Sequence, residues 1–600
     1  MTGSRVNVFL GAALFLLSPI WATAAEPQTP GPASAPPRGL TPPEQVPSDA
    51  PAENPEPAEQ TLPDQMGKPS GPRVTMAGLS AIDPAGAGLI NANSGGFVGT
   101  LWSGSPRAAV AARIAQLPAA TNSPAMQALM RRLLLTSAQP PQGVTPPDEP
   151  SFLAQRLSKI MASGWLEEAG ILAAQSPRTD TFARQVGAEA LLLQGREGDA
   201  CGEQTSLRQS AGEAYWLKLR ALCHIVQNET SAATLTLDVM RERGVEDDAF
   251  FALTATLLEG GAPPKMPALP QPSGIHLTLL NRANVTPPPA LAGWAPATAL
   301  LSQSTNADLR VTAGERAAAA GLLPADQLRL IYDAEAFTPD QLDDPEAWAA
   351  KLAPARANAL YFQAIAKRTL PAARAAAFAA ALQRAESQNR FALFARVADG
   401  AAQRIQVSPQ TVWLAPYIAR VLLMTGHDKA AEHWLAALTA PTDAPAVNAL
   451  QMQLALARPT TENVARLQSA MTWLGSNALK PGGAKDWLMD RATREIPLFA
   501  ALGYVVPPDA QWAVSATTAG VVPSGASAEA LTALARTSQE GRLGETVLNA
   551  LVALGPGGPT RAQGQTVARV VKALIAVGLR DEARALAVEA VLGSPVKLRK

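Results

Sequence analysis

The chain has 600 residues, with 50 Lys plus Arg against 50 Asp plus Glu, a formal net charge of zero, and only 4 His and 2 Cys. The charge balance excludes the basic excess of a typical nucleic-acid binder, and so few His and Cys cannot build a multi-zinc scaffold or a cysteine-knotted module. The length allows roughly three or four domains at about 150 residues each.

Arg5 opens the chain with a positive charge, and Val6 to Trp21 is an apolar run interrupted only by Asn7, Gly11, Ser18 and Pro19. The small residues Ala22-Thr23-Ala24 follow. The run is shorter than the ~20 residues of a membrane-spanning helix. The pattern predicts a signal peptide over residues 1–24, cleaved after Ala24 or Ala25; an uncleaved anchor is the alternative. The Ala/Pro/Gly/Arg bias beside such a signal suits a Gram-negative bacterium, so the mature protein is expected in the periplasm or secreted, with no stable membrane span.

Glu26 to Pro72 holds 14 of the 52 prolines, no aromatic residue, and seven acidic against two basic residues. Such a segment cannot bury enough apolar surface to offset its ordering entropy, and its prolines favour an extended spacer. Ala, Gly, Asn and Ser continue to about Gly96, so residues 25–97 are expected to form a disordered linker. Without the signal (+1) and the tether (−5), residues 73–600 carry +4, still no nucleic-acid footprint.

From Trp102 onward the pattern is helical and rich in alanine and leucine, both strong helix formers. Ser105-Pro106 and Ser123-Pro124 each place a hydroxyl before a proline, as at a helix start. Alternating β-branched runs with Asn-Gly or Asp-Gly turns are missing, so an all-α fold is expected; the apolar run His276 to Leu280 reads as loop or short helix. Proline clusters suggest three helical segments: 98–260, a connection at 261–289, then 290–504, a break at 505–524, and 525–600.

A recurring join sets the architecture. Gly164, Gly195, Gly426, Gly541 and Gly578 each precede a small residue by five positions, and in four of the five an acidic residue by four. The glycine ends one helix, the acid suits the first turn of the next, and the small residue permits close approach. After Gly578 come Ala583, Ala587 and Ala590 on one face, then Pro595. This resembles the tetratricopeptide repeat, a helix-turn-helix unit of about 34 residues. The aromatic that the family usually carries two after the glycine is replaced by Leu166, Glu197, Asp428, Leu543 and Arg580. The resemblance implies helix-turn-helix units stacked as an α-solenoid; unrelated hairpins sharing one turn solution are the alternative.

Cys201 and Cys223 fall on consecutive helices of an exported chain, which predicts a disulfide. Other chemistry is sparse. His427 and His433 are six apart, which places them on different sides of a helix, and His224 beside Cys223 lacks further zinc ligands nearby. No serine-nucleophile elbow, phosphate loop or dinucleotide loop occurs. The Glu-Ser-x-Phe motif of soluble lytic transglycosylases meets only Glu386-Ser387-Gln388-Asn389-Arg390-Phe391, two residues too long, and Glu386 reads as solvent-facing. No catalytic, metal or cofactor site is expected. The tryptophans read as wedges in a helical core, with sugar-stacking platforms as the alternative. The expectation is a non-enzymatic scaffold for an unknown protein or peptide partner, in an envelope assembly. A cell-wall glycan binder or remodelling protein is the second reading, and the character of the concave face separates the two.

Overall fold

The computed structural model describes residues 83–146, 149–206, 213–260, 269, 271–480, 485–518 and 528–594. The chain divides into Met1–Leu79 and Ser80–Lys600, and everything below concerns the second unit. The signal, its cleavage positions Ala24 and Ala25, and the acidic tether lie outside the described residues, as does Pro595.

The described residues hold 29 α-helices and no strand; the pairs Ile90–Thr136 and Pro106–Gln142 form isolated bridges. Helix starts follow local capping. Ser123 Oγ accepts the Met126 N–H, and Pro124 opens Pro124–Leu135. The expected cap at Ser105 does not form: Pro106 itself takes the N-cap position of Arg107–Gln116. There the extended backbone meets Gln142, and Arg107 N–H donates to the Gln142 carbonyl at 2.7 Å.

The five glycines share one turn. Each has positive φ, from 67° at Gly541 to 86° at Gly578. The residue after it donates to a carbonyl five positions back in the preceding helix, as from Arg196 to Leu191 at 2.9 Å and from Leu579 to Leu574 at 2.8 Å. That bond pattern satisfies carbonyls the helix end would leave open, and the next helix starts two residues after the glycine in all five. Two further hairpins use asparagine in the same place, Asn228 (φ 60°) and Asn389 (φ 57°), with helices beginning at Thr230 and Phe391. Asn is the side chain that best tolerates the left-handed region after glycine.

Three expectations about organisation are revised. First, residues 83–97, read as disordered linker, pack on the helical body. Leu89 N–H donates to Leu135 O at 2.8 Å, Ser137 N–H to Ile90 O at 2.7 Å, and Phe97 is buried. Arg156, 1% exposed, draws the strands of chain together: its guanidinium donates to the carbonyls of Ala85, Ala87, Leu134 and Thr136. Second, the region 261–289 contains the helix Gly274–Arg282, capped by Ser273 and buried from Gly274 through Leu280. Third, the break at 505–524 contains Pro508–Thr518, because Pro508 serves as a helix opener; residues 519–527 lie outside the described set.

The segments also share a core. One apolar cluster joins residues between Ala85 and Ala190 to residues between Met452 and Val591. The C-terminal helix Arg580–Leu592 packs against Pro124–Leu135, Ala415–Met424 and Ala444–Ala457 as well as its own hairpin partner. Arg132 pairs with Glu582, and Arg420 donates to the Leu592 carbonyl. Gly544 N–H bonds Leu101 O at 3.1 Å, and a Cβ at Gly544 would lie 2.5 Å from the Trp102 ring. In a linear stack each unit touches only its neighbours; here hairpins from the two ends of the described chain meet.

A disulfide joins Cys201, in Glu197–Ser206, to Cys223, in Ala214–Val226, with 5.6 Å between their Cα atoms. Closing a loop of 22 residues is worth about 3 kcal/mol in the chain-entropy account. Replacing both cysteines by serine is therefore expected to lower the unfolding free energy by about 3 kcal/mol, read by urea denaturation. The unreduced wild type, once denatured, should react with no thiol probe.

Candidate functional site

Two open grooves and several buried polar clusters are the places where chemistry or binding could reside. The larger groove, about 1360 Å³, lies among the helices Pro124–Leu135, Leu166–Ala174, Thr181–Leu193 and Glu197–Ser206, with Ala299 and Ala320–Leu322 on its far side. Small residues make it wide. Gly170, Gly198 and Gly202 line it, and a Cβ at Gly198 or Gly202 would meet nothing within 4 Å. Two of the turn glycines belong to this region: Gly164 lines the groove, and Gly195 joins two of its wall helices. Ile171 also lines it and stands 50% exposed.

The groove walls carry both signs of charge, already matched to each other. Arg131 pairs with Glu168, Arg184 with Glu203 at 2.8 Å, and Arg196 with Asp199 at 2.7 Å. The Arg196–Asp199 pair is solvent-exposed on both sides, and exposed pairs contribute little stability. The lining has a single aromatic, Trp165, and it is 6% exposed. Elsewhere Trp102, Trp216 and Trp434 are core residues, while Trp413 and Trp512 are exposed; neither exposed ring lines the groove. The core reading of the tryptophans thus describes some positions and misses these two.

The second groove, about 710 Å³, runs between Ala528–Gln539 and Gly564–Ala576. Leu531, Leu534 and Ala535 form one wall; Arg569, Lys572 and Ala576 stand on the other.

The buried polar clusters are structural in their geometry. Ser273, His276 and Asp247 form a chain resembling a nucleophilic triad: Ser273 Oγ lies 2.7 Å from His276 Nδ1, and His276 Nε2 lies 3.1 Å from Asp247 Oδ2. Yet Ser273 caps Gly274–Arg282 and Asp247 caps Asp248–Glu259, so His276 ties two helix starts together. Lys218 also pairs with Asp247. Burial alone would raise the Asp247 carboxyl, but hydrogen bonds from His276, Lys218 and the Phe250 N–H hold it well below the usual carboxylate range. None of these three residues lines either groove.

Glu315, 1% exposed, accepts from Tyr332 at 2.7 Å, from Asn358 at 2.9 Å and from Arg390. Glu335 is held between Arg310 and Arg356. Glu386, expected to face solvent, has a side chain 7% exposed and pairs with the fully buried Arg420 at 2.6 Å. The carboxylate is consumed by a structural pair where a glycosidase acid would need an open cleft. Among the histidines, His427 lies 3.1 Å from Asp399 and His224 2.6 Å from Glu229, and the described residues bring no three His, Cys, Asp or Glu side chains into a metal-binding group.

Glu589 is the buried acid with the clearest pH consequence. Its carboxylate accepts the Ser123 hydroxyl and the Ala125 N–H at 2.6 Å, where the C-terminal helix meets the start of Pro124–Leu135. Burial pushes the carboxyl from its ordinary 4.5 up to about 7, against the lowering effect of those two bonds and of Arg396. The folded state therefore binds the proton more tightly than the unfolded chain. This contribution is fully present below pH 4.5 and is lost as pH rises through 7. It amounts to about 3 kcal/mol, at about 1.4 kcal/mol per pH unit. Glu589→Gln should lose this pH dependence: its stability relative to wild type rises between pH 4.5 and 8, measured by denaturation at each pH.

No known protein family, no curated protein and no solved structure matches the chain. The class defined by the structure itself is an all-α protein of packed helical hairpins. No helix among the described residues is long and apolar enough to cross a membrane.

Proposed function

We propose that the protein is an exported, non-enzymatic scaffold whose tetratricopeptide-like hairpins hold a segment of another protein within the cell envelope. The observation that carries this reading is the lining of the larger groove. Its glycines and alanines let a partner backbone approach, Ile171 offers an apolar anchor, and the arginine–carboxylate pairs can reopen to a partner's charges. A glycan groove would instead present exposed aromatic platforms, and the groove's Trp165 is buried. At about 1360 Å³ the groove exceeds the ~300–1,000 Å³ typical of small-molecule pockets, which suits a peptide segment better than a metabolite. The signal-like pattern over residues 1–24 and the acidic, proline-rich segment after it support a location in the periplasm or outside the cell.

Crosslinking in the intact envelope followed by purification tests the reading. A defined protein partner should copurify with the full chain. Retention on peptidoglycan with no protein partner would favour the glycan reading and sink this one.

A further inference from the structure

We propose that the groove between Ala528–Gln539 and Gly564–Ala576 is a docking site for an acidic amphipathic helix of a partner protein; this rests on the scaffold reading above. Both walls present helix faces. Leu531, Leu534 and Ala535 follow the i, i+3, i+4 spacing on one side, and Arg569, Lys572 and Ala576 the i, i+3, i+7 spacing on the other. Residues so spaced share one face of a helix; Leu531 and Leu534 reach the groove from the core at 8% and 1% exposure, and Ala535 is exposed, so a shallow apolar face lies beside a cationic one.

Charge selects the occupant. Among the described residues no acidic side chain lines this groove, unlike the larger one. Arg569 and Lys572 are exposed, one turn apart, and have no carboxylate partner among the described residues. The acids closest in sequence are engaged elsewhere: Glu529 pairs with Arg113 and Glu540 with Arg542. An occupant must therefore supply apolar contact to the first wall and negative charge to the second.

Secondary structure selects the form. The walls are helices whose backbone groups are bonded within themselves, so no strand edge exists for an extended peptide to extend. Side chains alone can recognise the partner, which is how a groove reads an amphipathic helix with anchors at i, i+3, i+4 and i+7. The wall Ala528–Gln539 has 12 residues, about 18 Å of helix, enough for three turns of a partner.

The test selects binders from a random phage-displayed library of peptides of about 16 residues, roughly four helical turns, against the full chain. Enriched peptides should be net acidic with a helical apolar stripe. Binding should fall at least tenfold in R569E/K572E, and the charge-reversed peptides (Asp and Glu to Lys) should bind that variant more tightly than wild type. R569Q/K572Q, which removes charge without reversing it, should give an intermediate loss. Both variants should keep the wild-type Tm, since the two side chains are exposed. Basic or neutral winners, or binding indifferent to the charge reversal, overturn the proposal. Peptides displaced by Ile171→Arg but unaffected at Arg569 and Lys572 overturn it while leaving the scaffold reading in place. A library that yields no binder at either groove overturns both.

Discussion

Arg156→Leu is expected to destabilise the protein by about 3–5 kcal/mol and to detach residues 83–97 from the body. The guanidinium is 1% exposed, and burial pulls its ionisation down to about 10, a measure of what its placement costs. The four carbonyls of Ala85, Ala87, Leu134 and Thr136 offset that cost. Leucine fills part of the volume but leaves four acceptors without a donor, and each buried orphan costs about 1–3 kcal/mol unless water reaches it. The size of the loss is thus set by how far the segment opens. Arg156→Lys keeps the charge without the planar fork and should fall between the two. Hydrogen exchange reads the local consequence: the amides of Leu89 and Ser137, bonded to Leu135 O and Ile90 O, should lose protection before those of Phe152–Ala162. Unchanged protection would show that apolar contacts such as Phe97 hold the segment without Arg156.

Arg420→Met should cost a similar amount at the other end of the chain. Arg420 is fully buried; it donates to Leu592 O through Nε at 2.8 Å and to Glu386 at 2.6 Å, and its guanidinium lies over the Phe391 ring. Methionine preserves the packing but strands the Glu386 carboxylate, and breaking a buried pair from one side typically costs about 3–5 kcal/mol. Removing both charges, R420M/E386L, should recover part of that loss, because no unpaired charge remains. A double-mutant cycle in urea separates the pair's own coupling from the desolvation cost. A loss below about 1 kcal/mol in R420M alone would mean that water reaches Glu386 and that the C-terminal helix is held by its apolar face.

These two arginines also mark where reading the sequence succeeds and fails. The turn at Gly164, Gly195, Gly426, Gly541 and Gly578 was legible because a left-handed residue, an acid in the first turn and a small packing residue leave a local trace. The same turn at Asn228 and Asn389 escaped because the pattern was sought only at glycine. Asn389 in particular lies just before Phe391, inside the stretch that resembles a lengthened Glu-Ser-x-Phe motif. Charged side chains usually lie on the surface, so nothing local in the sequence marks Arg156, Arg420 and Glu589 as buried, and Glu386 reads as solvent-facing. Each is buried by contacts with residues far away in sequence, up to 466 positions for Ser123 and Glu589, and no periodicity encodes such a meeting.

The grooves were hidden for a related reason. They are spaces left between helices, and what shapes the larger one is missing side chains at Gly198 and Gly202, which look in sequence like ordinary helix-weakening glycines. The cationic wall at Arg569 and Lys572 becomes informative only when the described residues lining the groove are seen to include no acid. The cysteine positions, by contrast, could be paired from helix order alone, since only two were available.

The scaffold claim is tested most directly by placing a photo-crosslinking amino acid at Ile171 in the full chain within its native cells. A control position is Leu235, which is 66% exposed and lines neither groove. The account predicts a discrete protein adduct from Ile171, lost when Gly198 and Gly202 are both enlarged to leucine, and no such adduct from Leu235. Equal, diffuse labelling from both positions, or an adduct from Leu235 alone, would contradict it.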